Sequence, residues 1–144
     1  MFLSSVVNSG PLPVLERMAA FTEARHRVLL TNVANLDTPG YRPKDVDPDG
    51  FGAALSEASG RRGGSSEPLE MAEGKSWRFG PGGSLEVRPR EVGPENILFH
   101  DGTNSSVERQ MSELVKNAMM HQIAVEMLRG RYSGLMTAIR GRVA

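Results

Sequence analysis

Residues 106–140 read SVERQMSELVKNAMMHQIAVEMLRGRYSGLMTAIR, and their spacing decides the architecture. Val107, Met111, Leu114, Ala118, His121, Val125, Leu128, Tyr132, Leu135 and Ile139 recur in four–three steps, the period of a heptad seam on one long helix. At about 1.5 Å per residue this segment reaches roughly 50 Å. Met119, Met120, Ile123, Met127 and Met136 widen the apolar surface beyond a narrow stripe, so the helix requires more than one neighbour. Gly130 and Gly134 each cost about 1 kcal/mol relative to alanine inside a helix. They mark either a close helix contact or a weak last section. Arg140 and Arg142 suit a C-terminal end near Gly141, where cations complement the helix dipole.

A second helix is expected over residues 14–36, VLERMAAFTEARHRVLLTNVANL, which has no internal glycine or proline. Val14, Met18, Phe21, Val28 and Leu29 fall on one broad apolar face. Pro13 stands near the start, where its missing donor does no harm. The end is marked by Thr38-Pro39-Gly40-Tyr41. Proline fixes φ at the second position and glycine accepts positive φ at the third, which predicts a type II turn.

Between these helices the composition changes. Residues 42–103 hold 11 of the 16 glycines and 6 of the 9 prolines. Ser56 to Ser66, enclosing Gly60-Arg61-Arg62-Gly63-Gly64, reads as a flexible linker. Ser84 to Arg88 is a candidate strand, with Trp77 and Phe79 as aromatic anchors of a small strand pair or of a contact with another protein. The chain therefore divides into an N-terminal helix and turn (1–41), a variable and partly flexible middle (42–103) and a C-terminal heptad helix (104–144). The expected fold is mainly α: two long terminal helices in a coiled-coil hairpin, with a Gly/Pro-rich extended or small β middle.

The 144-residue chain is 39% apolar and 24% charged, with 17 basic and 17 acidic residues. A neutral total argues against a dedicated nucleic-acid binder, which needs a basic surface to offset phosphate charge. No cysteine is present, which removes disulfides, thiolate metal sites and thiol catalysis. Met1 to Val7 is apolar but lacks a basic leader and is soon broken by Gly10, Pro11 and Pro13, so no cleaved signal is expected. No run approaches the roughly 20 apolar residues of a membrane span.

Catalytic and ligand-binding patterns are missing as well. His26, His100 and His121 lack zinc-ligand spacing. Asp45, Asp47 and Asp49 mimic the start of a calcium loop, but Glu57 falls one position beyond its closing ligand. Gly80-x-Gly82-Gly83 lacks the lysine of a phosphate loop. No enzyme and no cofactor are expected. The two helices hold about 58 residues, and a core that small supplies only a few kcal/mol. Their apolar faces are satisfied either by neighbouring subunits or by a hairpin packed on its own middle segment. Periodicity alone leaves both open.

Asn32-Val33-Ala34-Asn35-Leu36-Asp37-Thr38-Pro39-Gly40-Tyr41, following an amphipathic helix, resembles the N-terminal signature of bacterial flagellar rod and hook proteins. The continuation Arg42-Pro43-Lys44-Asp45-Val46 looks most like the proximal-rod members of that family, and Glu108-Arg109-Gln110-Met111, Leu114, Asn117-Ala118, Gln122 and Leu135 to Gly141 are similar to its closing helix. His121 stands where that family is expected to carry an aromatic residue. The resemblance implies a structural subunit exported by the flagellar type III apparatus without signal cleavage. It implies polymerisation with other copies and other rod proteins in the periplasmic rod, next to inner-membrane ring and rod-adaptor proteins. It assigns assembly roles to the turn residues Asn32, Asn35, Thr38, Pro39, Gly40 and Tyr41 and to the heptad seam. The alternative is a helical adaptor or chaperone-like protein that binds another coiled coil.

Overall fold

The computed structural model describes residues 10–63, 67–93 and 102–141. The segment Met1–Val7, on which the expectation about a signal rests, lies outside the described residues, as do positions 64–66 of the expected linker. Helix α1, Leu12–Ala34, begins behind Pro11, whose carbonyl accepts the Leu15 amide at 3.0 Å. It ends two residues earlier than the sequence pattern suggested. The Asn35 amide bonds back to the Asn32 carbonyl at 3.2 Å, and the Thr38 amide to the Asn35 carbonyl at 3.0 Å. The chain thus leaves the helix through two tight turns ahead of Pro39, a residue that disfavours helical geometry in the one before it.

The middle segment contains more structure than its composition implies. After strand β1, Lys44–Asp45, comes a 14-residue helix α2, Pro48–Arg61. Asp47 caps it, its carboxylate accepting the Gly50 amide at 2.9 Å, with Pro48 in the first turn, where no amide donor is needed. Phe51, Leu55 and Ala58 recur at helical spacing and are buried. The expectation of a linker from Ser56 is therefore corrected: Ser56 to Arg61 continue the helix, because this apolar stripe has a surface to pack on. Strands β2, Trp77–Phe79, and β3, Leu85–Val87, form an antiparallel hairpin in which Trp77 faces Val87 and Phe79 faces Leu85. Strand β4, Arg90–Glu91, returns to pair with β1, Lys44 opposite Glu91. Helix α3, Gly102–Arg140, then runs for 39 residues and stops at Gly141, whose φ is +61°.

Helix α1 lies between the two other parts. One side enters a core of Phe21, Val46, Phe51, Leu55, Ala58, Leu69 and Trp77. The Phe21 and Phe51 rings stack with centroids 3.9 Å apart, and Trp77 meets Phe51 edge-on at 5.4 Å, both favoured aromatic arrangements. The buried indole donates to the Ala72 carbonyl at 3.1 Å. An adjoining side of α1, carrying Thr22, Arg25 and Asn32, packs antiparallel against α3. The fold is a helical hairpin with a small antiparallel β insert, and the insert is packed onto the first helix.

Gly74 holds the indole in place by having no side chain, since a Cβ there would overlap the Trp77 ring. Gly74→Ala is expected to destabilise the fold by about 1–3 kcal/mol through overpacking. It should also move the emission of the single tryptophan to longer wavelength; urea melts followed by fluorescence measure both.

Candidate functional site

The junction between the turn and the helical hairpin is organised by Asn32, which is 1% exposed. Its Nδ2 donates to the Lys44 carbonyl at 2.6 Å and to Gln110 Oε1 at 3.2 Å. Its Oδ1 accepts the Lys44 amide and the Tyr41 hydroxyl, both at 2.9 Å. Both donors and both lone pairs are used. The side chain meets the N–H and C=O of Lys44 much as a neighbouring strand would, while β4 pairs along the other edge of β1. One amide thus joins α1, the turn, β1 and α3.

Arg25, about two helical turns further back on nearly the same face, repeats the arrangement with charge. Its guanidinium grips Asp45 through Nε at 2.9 Å and Nη2 at 2.6 Å, and reaches Glu113 of α3 at 2.9 Å. Burial works against the Arg25 charge, but the bonds to Asp45 and Glu113 outweigh it and its pKa is raised. The hydrogen bond from Arg25, aided by Lys116 and opposed by partial burial, holds the Glu113 carboxyl below its ordinary value. Next come two bonds to Thr22: Asn117 Nδ2 donates to the Thr22 carbonyl at 2.8 Å, and Thr22 Oγ1 lies 2.9 Å from His121 Nδ1. At the far end the Tyr132 hydroxyl donates to Glu16 at 2.7 Å. Residues descend along α1 as they ascend along α3, an antiparallel ladder of polar pairs.

The turn predicted at Thr38–Tyr41 is present, with the Tyr41 amide bonded to the Thr38 carbonyl at 3.1 Å and Gly40 at φ +75°. Asn35 acts locally, donating to the Thr31 carbonyl at 2.8 Å and accepting the Thr38 hydroxyl at 3.2 Å. Tyr41 is drawn into the Asn32 cluster, whereas Thr38, Pro39 and Gly40 stay exposed. Of the heptad positions, Val107, Leu114, His121, Val125, Leu128 and Leu135 are half-buried, and Met111, Ala118, Tyr132 and Ile139 are exposed. Among the described side chains of α3 the most buried are Gln110, Asn117 and Ala124, spaced by seven. Apolar periodicity passes over them because two are polar and the third is small; their seven-residue spacing was the available signal.

The remaining apolar residues of α3 therefore lie outward. Met111, Val115, Met119, Met120, Ile123 and Met127 are each between 43% and 60% exposed, and Met136 and Ile139 continue the exposure beyond the start of α1. Two of the acidic triplet are used structurally, Asp45 by Arg25 and Asp47 as a helix cap, and Asp49 stands in the first turn of α2. Among the described residues no cluster of His, Asp or Glu could hold a metal, and no helix is long and apolar enough to cross a membrane.

Two substitutions probe the ladder. Asn32→Ala strands several buried partners at once, and a loss of about 3 kcal/mol is expected in urea unfolding. Glu113→Gln tests the charge. A carboxyl with a lowered folded pKa stabilises the fold above its ordinary value of 4.5 and loses that contribution as pH falls through the lowered value. The stability gap between the native chain and Glu113→Gln should be present at pH 7 and vanish at strongly acid pH, as read by melting temperature across a pH series.

No family model matches the chain. Among known proteins it is similar to flagellar basal body rod protein FlgB of Cereibacter sphaeroides, 33% identical over 120 residues that cover 83% of this chain and 85% of the relative. The FlgB of Aquifex aeolicus is 30% identical over 127 residues, covering 85% and 86%. The FlgB of Bacillus subtilis is 27% identical over 134 residues, covering 92% and 95%. These matches run through the helical ends and the middle alike, and with them the chain belongs to the flagellar basal body rod protein FlgB family.

Proposed function

We propose that this chain is a non-catalytic structural subunit of the proximal flagellar rod, which polymerises through its terminal helices to carry torque and line the export channel. The observation that carries the reading is the division of labour on α3. Gln110, Asn117 and Ala124 take its deepest positions, and Met111, Val115, Met119, Met120, Ile123 and Met127 are left exposed. An apolar face of this length on a free chain marks a protein contact. Membership of the rod protein family supports reading that contact as one with a neighbouring subunit. Stacked helices with interdigitated side chains supply stiffness, and a filament needs head-to-tail contacts that do not close.

On this reading the partners are other copies, other rod proteins, and the inner-membrane ring and rod-adaptor proteins. The subunit reaches the periplasmic rod through the flagellar type III apparatus and binds no nucleic acid. The turn residues Asn32, Asn35, Thr38, Pro39, Gly40 and Tyr41 set the angle at which the middle segment leaves the hairpin. Thr38, Pro39 and Gly40 lie on its outer surface, where a neighbouring subunit can reach them.

Ile123→Asp with Met127→Asp places two charges on the outward face without touching the ladder. The expected outcome is an unchanged helical circular-dichroism spectrum and loss of the chain from detergent-extracted basal bodies. Normal incorporation would overturn the reading. Tight one-to-one binding to a single coiled-coil protein, with no incorporation of the native chain, would favour an adaptor instead.

A further inference from the structure

The exposed surface of α3 is unusual in one chemical respect. Met111, Met119, Met120, Met127 and Met136 are five of the chain's eight methionines, and each is between 43% and 60% exposed. Met18 and Met71, by contrast, are packed against the buried core. A thioether is the one apolar side chain that mild two-electron oxidants convert into a strongly polar group. Leucine or isoleucine at these positions would give the same apolar face without that liability, and the helix does use Ile123, Ile139 and Leu128 elsewhere along its length.

We infer that these exposed methionines, distributed around and along α3, are oxidation sites that switch the subunit's assembly surface off, an inference that rests on the rod-subunit reading above. The oxidant is hydrogen peroxide. The sulfur lone pair attacks one peroxide oxygen, the O–O bond breaks, an S–O bond forms, and the proton on the transferred oxygen passes to the departing hydroxide, which leaves as water. Each sulfur loses two electrons and the peroxide gains them. The product sulfoxide is polar and a strong hydrogen-bond acceptor. Burying several of them against an apolar neighbour leaves them without donors, which opposes association. The ladder to α1 contains no methionine, so the hairpin itself survives. Once subunits cover the face, the sulfurs are shielded. The switch therefore acts on free subunits and spares assembled ones. Sulfoxides are also reducible, so the change is reversible.

The test uses the purified full chain and a limiting dose of hydrogen peroxide. Peptide mass spectrometry should find the five α3 methionines mostly oxidised while Met18 and Met71 remain mostly thioether. Sedimentation should show self-association weakened about tenfold or more, with helical circular dichroism retained. Treatment with methionine sulfoxide reductases of both stereospecificities, which leave other oxidised residues alone, should restore association. Equal oxidation of all seven mapped methionines, undiminished association after oxidation, loss of helix, or failure of the reductases to restore association would each overturn the inference. If the untreated chain does not associate at any concentration, self-assembly through this face is itself refuted and the switch falls with it.

Discussion

A helix buried on two sides must satisfy two environments at once, and α1 does so with two chemistries. Toward the middle segment it offers Phe21 to the aromatic stack of Phe51 and Trp77. Toward α3 it offers Thr22, Arg25 and Asn32, whose polar atoms are matched by Asn117, Glu113 and Gln110. The completeness of this matching is the constraint on everything else. An unpaired polar group at such depth costs about 1–3 kcal/mol, so the helices can adopt only the register in which the bonds close together. The turn at Thr38–Tyr41 and the short strand β1 are placed by the same atoms, because Tyr41 and Lys44 share the Asn32 amide with Gln110.

Polar contacts of this kind add modest net stability, and their better-attested contribution is to specify one arrangement. Apolar helices can slide by a turn with little penalty. Here sliding by one heptad would take Gln110, Asn117 and Glu113 away from their partners together. The arrangement also leaves leucine-like bulk on α3 free for other uses. Here Gln110, Asn117 and Ala124 take the deepest positions while the methionines stay exposed among charged residues, a distribution that fits a subunit with further protein contacts on its outer surface.

Much of this was legible in the residues. The two helices, their ends within two positions at the first, and the turn at Pro39-Gly40 follow from periodicity and turn chemistry, while the strand pair at Trp77 and Phe79 was one of two options the residues left open. Helix α2 did not, because Gly50, Gly52 and Gly60 depress helix propensity and the serines after Leu55 resemble a linker. The cap at Asp47-Pro48 and the stripe Phe51, Leu55, Ala58 were the countervailing signals. The ladder was harder to see. A search for apolar repeats discards glutamine and asparagine, so the shared half of the heptad (Val107, Leu114, His121, Leu128 and Leu135) was found while Gln110, Asn117 and Ala124 were displaced by their apolar neighbours. Asn32 stood out only through its place in the N-terminal signature, and Arg25 not at all, since its partners are 20 and 88 residues away.

Two glycines in this chain are required for opposite reasons. Gly74 is a matter of volume, since the indole occupies the space of any side chain. At Gly40 the φ of +75° lies where nothing stands within 4 Å of a built Cβ. Room is available there, and what excludes ordinary residues is handedness. A D-alanine introduced at this position by chemical synthesis would fit the turn as drawn. By narrowing the conformations open to the unfolded chain, it would hold the corner more firmly than glycine does.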